Sequence, residues 1–144
     1  MADDLAVFAP RRTRGVALGL GAGVTLLLVL LALFVPGRYE WWDRAGFVVV
    51  AVLIDLFLWR QATVRAVPSE RGLHVRNLVV RRDLEWSQVV SVRFGERPWP
   101  QLDLDDGDTL AVMGIQRSDG ERAQAEARRL AGLVARYSAA DRDD

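Results

Sequence analysis

The sequence predicts an α+β membrane protein, in which a two-helix transmembrane hairpin precedes a small antiparallel β-barrel or sheet that ends in one amphipathic helix. Three patterns carry this prediction: two long apolar runs, a stretch of alternating apolar and polar residues, and a final helical apolar period. The expected segments are an N-terminal tail over 1–14, the hairpin over 15–60, the folded domain over 61–140, and an acidic tail over 141–144.

The composition excludes several classes of chemistry. The 144 residues carry 19 basic and 19 acidic side chains, so the formal net charge is zero, and 51% of them are hydrophobic. A neutral chain argues against nucleic-acid binding through bulk positive charge. All the basic residues are arginine and there is no cysteine, which excludes disulfides, Cys-ligated zinc and lysine Schiff bases.

The first apolar run, GVALGLGAGVTLLLVLLALFV, covers residues 15–35 without a charge. A helix of that length crosses a hydrocarbon core of about 30 Å. The run is longer than the apolar part of a signal peptide, so we expect a retained span. Gly15, Gly19 and Gly23 recur every four residues, a pattern typical of helix packing, and we expect them to contact either the second span or another copy of the chain.

The second apolar run, expected as a helix over 42–60, is interrupted by Asp55. A carboxylate costs about 2.5–3.5 kcal/mol at mid-bilayer. Its large apolar neighbours offset that cost, so we expect insertion, with Asp55 in an interfacial or packing role rather than a functional one. Tyr39 and the tryptophans beside it suit an aromatic belt. Arginines flank the outer ends of both spans, which predicts the cell inner (plasma) membrane with both termini cytoplasmic.

From residue 61 onward the apolar residues alternate with polar ones, as in half-buried strands. We expect about six short strands, near residues 63–66, 73–77, 79–85, 89–94, 101–104 and 109–113. The sequence DDGD at 105–108 predicts a hairpin turn between the last two. A capping box of Ser118 and Glu121 predicts a C-terminal helix over 119–138 with one apolar stripe.

Six short strands closed by one C-terminal helix match the plan of a pleckstrin-homology (PH) domain. The stretch LEWSQVVSVRFGERPWPQLDLDDGDTLAVMGIQRSDGER, residues 84–122, resembles the bacterial PH-domain membrane proteins of actinobacteria, the family of low molecular weight protein antigen 6. The likeness lies in Leu84-Glu85-Trp86, in QLDL at 101–104 followed by Asp-Gly, and in Val-Met through Ile-Gln at 112–116. The resemblance continues upstream through both spans and implies a fold and a membrane location, not a reaction.

No catalytic constellation is present in the sequence, so we expect a non-catalytic protein without metal or cofactor. His74 is the only histidine, and we interpret it as a surface or cross-strand residue. The acidic turn at 105–108 lacks the glycine position and terminal glutamate of an EF-hand. No P-loop, nucleophile elbow or zincin motif occurs.

The first binding hypothesis is that a basic face docks on anionic phospholipid headgroups near the end of the second span, because arginine suits phosphates. The candidates are Arg60, Arg65, Arg76, Arg81 and Arg82. The alternative for these arginines is an ordinary solvated strand surface, neutralised by neighbouring acids. The lipid bilayer is the expected partner in either case, and no nucleic acid is expected.

The second hypothesis is a structural subunit of a membrane protein assembly. The glycine-rich helix would support a homo-oligomer or a contact with another membrane protein. Trp99, held between two prolines, would either anchor a protein partner or cover one end of the β-domain.

Overall fold

The computed structural model describes residues 4–38 and 40–140. These residues form two compact units, one over 13–63 and one that combines 4–12 with 64–140. The acidic tail expected over 141–144 and the aromatic-belt residue Tyr39 lie outside the described residues.

The first unit consists of helix α1 (Arg11–Phe34) and helix α2 (Trp41–Ala62). Both are long and apolar enough to cross a membrane by length and composition. Helix α1 begins directly after Pro10 and ends just before Pro36, since proline starts a helix readily but cannot continue one. It starts earlier than expected because the arginines before the apolar run are helical too. Most large side chains on both helices are exposed, so their apolar surface is not covered by any residue within 4–38 or 40–140.

The two helices pack against each other through small residues. Ala17 and Gly21 of α1 and Ala51 of α2 are buried. The Thr25 hydroxyl donates a hydrogen bond of 2.5 Å to Oδ2 of Asp55, and a Cβ placed on Gly21 would lie only 3.1 Å from the other carboxylate oxygen. Asp55 therefore has a packing role in the helix contact, as expected.

The glycines singled out from the sequence lie elsewhere on α1. Gly15, Gly19 and Gly23 are exposed, and a Cβ added to any of them would meet nothing within 4 Å. Of the two expected contacts, the one with the second span is not formed, because the rotation of α1 about its axis places Gly21 in that contact. Their contact with another copy of the chain stays a prediction.

The second unit contains two three-stranded antiparallel sheets. Sheet one has the order β1 (Arg65–Pro68), β2 (Gly72–Arg76), β3 (Arg81–Glu85). Sheet two has the order β4 (Val89–Arg93), β5 (Gln101–Leu104), β6 (Thr109–Ala111). The expectation of about six strands is confirmed for the described residues. Within the described ranges no strand of one sheet pairs with a strand of the other, so the strands do not close into a barrel.

Side chains, rather than backbone pairing, connect the two sheets at one edge. The buried Asn77 donates a hydrogen bond of 2.7 Å to the carbonyl of Ala111 and accepts one of 3.1 Å from the amide of Met113. Arg82 on β3 forms ion pairs with Asp106 at 3.0 Å and Asp108 at 3.3 Å in the β5–β6 turn. These contacts fix the β2–β3 hairpin against β6.

Trp86 lies at the corner between the sheets, in the one-turn 3₁₀ helix Trp86–Gln88. Its side chain is 1% exposed, stacks on Tyr137 at 5.6 Å between ring centroids, and donates to the carbonyl of Ser69 at 2.8 Å. The hydroxyl of Ser138 donates to the Trp86 carbonyl at 2.7 Å. Trp86 thus ties the β1–β2 turn of sheet one to the C-terminal helix.

The C-terminal helix α3 (Glu121–Ala140) covers the core with the apolar stripe that its sequence predicts. The buried residues of this stripe are Ala123, Ala127, Leu130, Leu133 and Val134. The helix begins two residues later than expected. Gly120 adopts a φ of +63° between α3 and a preceding 3₁₀ turn, Arg117–Asp119, so the expected capping box does not start the helix.

The segment before α1 is folded onto this unit. Phe8 is 1% exposed and exchanges two backbone hydrogen bonds, of 2.8 and 2.9 Å, with Ala66 of β1. Gly114 permits this approach, since a Cβ there would lie 2.6 Å from the carbonyl oxygen of Phe8. The guanidinium of Arg129 lies 3.9 Å from the centre of the Phe8 ring and donates to the carbonyl of Asp4 at 3.0 Å. The described part of the expected tail is therefore ordered by tertiary contacts.

Candidate functional site

Three arginines lie directly opposite one another across sheet one. Arg65 of β1 is the register partner of Arg76 on β2, and Arg76 is the register partner of Arg81 on β3. Opposite residues of an antiparallel pair have their side chains on the same face, with Cβ atoms about 4.5–5.5 Å apart. Arg65, Arg76 and Arg81, called the arginine row below, therefore share the outer face of the sheet.

The arginine row is electrostatically unfavourable for the isolated fold, because like charges directly opposite destabilise a sheet. Arg65 and Arg81 are exposed and Arg76 is half-buried. Among residues 4–38 and 40–140, no carboxylate forms an ion pair with Arg65 or Arg81. The next row on this face contains Asp83, but its carboxylate contacts Nδ1 of His74. The arginine row therefore places three positive charges close together on one face of sheet one.

The other two predicted arginines do not belong to the arginine row. Arg82 follows Arg81 directly in the strand, so its side chain lies on the opposite face, where it binds the β5–β6 turn. Its observed contacts are structural. Arg60 lies in the last turn of α2, in the helical unit.

The loop between β4 and β5 holds Trp99 in a half-buried position. The carbonyl of Pro98 accepts a hydrogen bond of 2.8 Å from the amide of Arg117, whose guanidinium donates to the carbonyl of Glu96 at 2.7 Å. Pro100 is buried. The loop has a fixed shape, and the contact of Trp99 with a protein partner stays a prediction.

An open cavity of about 680 Å³ lies between β4 and the first half of α3. Its walls combine apolar side chains such as Val92 and Phe94 with the charged Arg117, Glu121 and Arg128. Across the described part of the chain, no group of three or more His, Asp or Glu side chains is placed to hold a metal ion.

Arginines lower the pKa of two half-buried aspartates, Asp4 and Asp103. Oδ2 of Asp103 accepts hydrogen bonds of 2.7 Å from Nε of Arg93 and 2.6 Å from the Ser91 hydroxyl. The Arg93 guanidinium, with Ser91, holds the pKa of Asp103 below its ordinary value. The guanidinium of Arg136 donates to Asp4 at 2.9 Å and lowers the pKa of that carboxyl in the same way. Both carboxylates are engaged in structural pairs.

Sequence reasoning missed the tip of the β2–β3 hairpin. Val79 and Val80 were expected to lie in the third strand, but β3 begins at Arg81. The two valines are 79% and 48% exposed. Two consecutive valines are typical of a strand, which explains the incorrect prediction. Their position between Arg76 and Arg81 was the sequence signal for a turn between two strands.

The family comparison covers most of the sheet unit. A family model described as "Bacterial PH domain" matches residues 63–133. The match begins directly after α2 and ends within α3. The protein Rv1417 of Mycobacterium tuberculosis is 43% identical over 67 residues, which cover 46% of this chain and 44% of that protein. The Mycobacterium bovis protein Mb1452 matches to the same extent. The chain thus spans less than half the length of these relatives.

Low molecular weight protein antigen 6 of Mycobacterium tuberculosis is 31% identical over 85 residues, which cover 59% of this chain and 72% of that protein. No solved structure matches.

Proposed function

The chain belongs to the bacterial PH-domain family, and we propose that it is a two-span membrane protein whose PH domain is a non-catalytic binding module. The domain lies at the cytoplasmic face of the plasma membrane and docks on anionic phospholipid headgroups. The arginine row is the observation that carries this proposal.

Two properties of the helical unit support a membrane location. Both helices are long and apolar enough to span, and their large side chains, such as Leu26 at 61% and Leu53 at 60% exposure, are not covered by the described part of the chain. Exposing apolar surface to water costs about 25 cal/mol per Å². A bilayer removes that cost for every face of both helices.

The N-terminal segment supports a topology with both flanks of the hairpin on one side. Phe8 precedes α1, whereas its partner Ala66 follows α2, and the two exchange backbone hydrogen bonds in one folded unit. If the helices cross the bilayer, both flanks then share one compartment. Three arginines lie within 11–14, whereas the opposite end of the hairpin has only Arg38 in the connection and Arg44 in the first turn of α2, so the positive-inside rule favours the cytoplasm.

The arginine row fits a surface of phosphates. Three cations whose mutual repulsion weakens the sheet gain from an external array of anions, at about 1 kcal/mol for each arginine near an anionic leaflet. Arg65 follows the end of α2 at Ala62 by only three residues, a chain length of at most about 10 Å. A spanning α2 therefore keeps one end of the row within reach of the headgroups.

The experiment measures the approach of the domain to the bilayer in the full chain. Because the chain has no cysteine, Ser87→Cys on the exposed 3₁₀ turn takes a single donor dye, and the acceptor is a dye on a lipid headgroup. The protein is reconstituted in nanodiscs of phosphatidylcholine with or without phosphatidylglycerol. We expect more energy transfer with phosphatidylglycerol, and less of it at high salt.

Paired variants test whether the arginine row is responsible. R65A/R81A should lower the ratio of docked to undocked domain by about 30-fold, from two arginines at about 1 kcal/mol each. R122A/R128A removes the same charge from α3 and serves as the control. Equal transfer in the two lipid compositions, or equal effects of the two variants, would contradict headgroup docking.

A second candidate function, a structural subunit of a membrane assembly, is favoured by the exposed glycine stripe. Gly15, Gly19 and Gly23 line a face of α1 that no described part of the chain covers, and close helix packing is the common use of such a stripe. Gly19→Leu should lower the dimer fraction in single-molecule photobleaching, whereas Gly46→Leu, on an equally open position of α2, should not. A monomeric wild-type chain would exclude the homo-oligomer.

A further inference from the structure

We propose that the β2–β3 hairpin is a membrane wedge, whose apolar tip at Val79 and Val80 enters the boundary between headgroups and acyl chains of an anionic bilayer. The arginine row at its base binds the headgroups around it. This inference rests on the proposed function, because it requires the domain to lie on the bilayer, and it identifies which end of the domain touches the lipid.

The exposure of the tip is unusual for a turn. Val79 is 79% exposed and Val80 48%, at a place where glycine, asparagine and aspartate are the common residues. Neither valine belongs to the core cluster of buried residues. Their apolar surface therefore contributes little to the fold and is available to an apolar environment.

The tip is held in a fixed direction by its base. The amide of Asn77 donates a hydrogen bond of 2.8 Å to the carbonyl of Val80 and closes the turn. The side chain of the same asparagine bonds to Ala111 and Met113 at the end of β6. A rigid tip loses little conformational entropy on insertion, which lowers the cost of binding.

The charges around the tip fit an anionic surface. Arg76 directly precedes the turn and Arg81 follows it, and Arg65 extends the same register row to β1. Cations beside an apolar tip are typical of interfacial membrane binding, in which apolar side chains enter about 5–10 Å below the headgroups. The acidic β5–β6 turn also reaches β3, but Asp106 and Asp108 there are paired with Arg82.

The first test locates the tip directly. In the full chain, Val79→Cys is labelled with an environment-sensitive dye and reconstituted in nanodiscs with or without phosphatidylglycerol. With the anionic lipid, the emission should shift to the blue and be quenched by a nitroxide on the acyl chain. The same label on Ala125→Cys, at an exposed position of α3, should stay in water in both lipids.

The second test removes the apolar contact. V79N/V80N, measured with the donor at Ser87→Cys, should lower the ratio of docked to undocked domain by about ten-fold or more if both side chains are largely buried on docking. V79L/V80L retains apolar surface and should retain docking. Val90→Asn, at a valine of β4 that is 60% exposed, is the matched control. If V79N/V80N unfolds the domain, the blue shift and nitroxide quenching of the dye at Val79→Cys decide whether the tip enters the bilayer.

The outcomes separate the two proposals. If the domain approaches phosphatidylglycerol but the label at position 79 remains in water, the wedge is overturned and headgroup docking stands. If neither the approach nor the blue shift depends on the anionic lipid, both proposals are overturned. If both depend on it and V79N/V80N but not Val90→Asn weakens docking, the wedge is supported.

Discussion

The two sheets of the PH domain use arginine in opposite ways. In sheet two, Arg93 on β4 forms an ion pair with Asp103 on β5, so its charge is satisfied within the fold. In sheet one, Arg65, Arg76 and Arg81 lie opposite one another, a placement that weakens the sheet. One sheet uses the cation to stabilise its own pairing, whereas the other presents it outward. The proposed docking on anionic headgroups would account for this difference.

The largest expected effect comes from removing the corner that both sheets share. Trp86→Ala should lower the free energy of unfolding by about 3–5 kcal/mol, the usual cost of truncating a buried aromatic side chain. Trp99→Ala is the control, because Trp99 is only half-buried and should cost less. Thermal unfolding by circular dichroism in detergent measures both, and equal losses would contradict the structural role of the buried Trp86.

Sheet one differs from sheet two in that its strand β1 binds the N-terminal segment through Phe8 and Ala66. Gly114→Ala should disrupt this contact. The new Cβ would lie 2.6 Å from the Phe8 carbonyl, and such overpacking costs about 1–3 kcal/mol. Hydrogen exchange at the amides of Phe8 and Ala66 should accelerate. Gly132→Ala, at an open helix position, should slightly stabilise α3 by contrast. Unchanged protection at Phe8 would show that the glycine is not required there.

Charge reversal should have opposite signs in the two sheets. Arg81→Glu places a carboxylate opposite Arg76 and should raise the free energy of unfolding by about 0.2–1 kcal/mol, while weakening docking on phosphatidylglycerol. Arg93→Glu places a second carboxylate beside Asp103 and should lower stability. Chemical denaturation of both variants measures the contrast, and a loss of stability in Arg81→Glu would show that the arginine row serves the fold.

The smallest expected effect is the loss of stability at acidic pH that the Asp103–Arg93 pair of sheet two causes. The pKa of Asp103 is lowered in the folded state by Arg93, so its contribution is complete above the ordinary aspartate pKa of about 3.9. It is lost as the pH falls through the lower folded value. Asp103→Asn should flatten the fall in Tm in this acid range. Asp105→Asn in the neighbouring turn is the control, and identical pH profiles of the two variants would exclude the Asp103 pair as the source.

Sequence periodicity located most elements, but it was least accurate where apolar residues are not buried. Val79 and Val80 have the composition of a strand, and their pattern predicts one, yet they form an exposed turn. Periodicity reports the presence of apolar residues and assumes that they face a core. It therefore fails at an apolar surface, which is where the proposed wedge lies.

The sequence predicted a shared face for several arginines, and the strand register places Arg65, Arg76 and Arg81 opposite one another. Their role in lipid binding stays a prediction. Arg82 was grouped with them although adjacent strand residues face opposite sides. The glycines of α1 show the corresponding problem in a helix. A spacing of four defines a stripe, but only the partner helix determines which stripe faces inward, and here it is the one with Gly21.

The sequence by itself determined the element types, the two apolar helices, the DDGD turn and the membership of the PH-domain family, because these depend on residues close together in the chain. Only the tertiary structure decided the register that aligns the arginine row, the separation of the strands into two sheets, and the docking of Phe8 between Ala66 and Gly114. Those features depend on contacts between residues that are distant in the sequence. A local sequence pattern cannot specify these contacts, because the position of each segment depends on where the other segment packs.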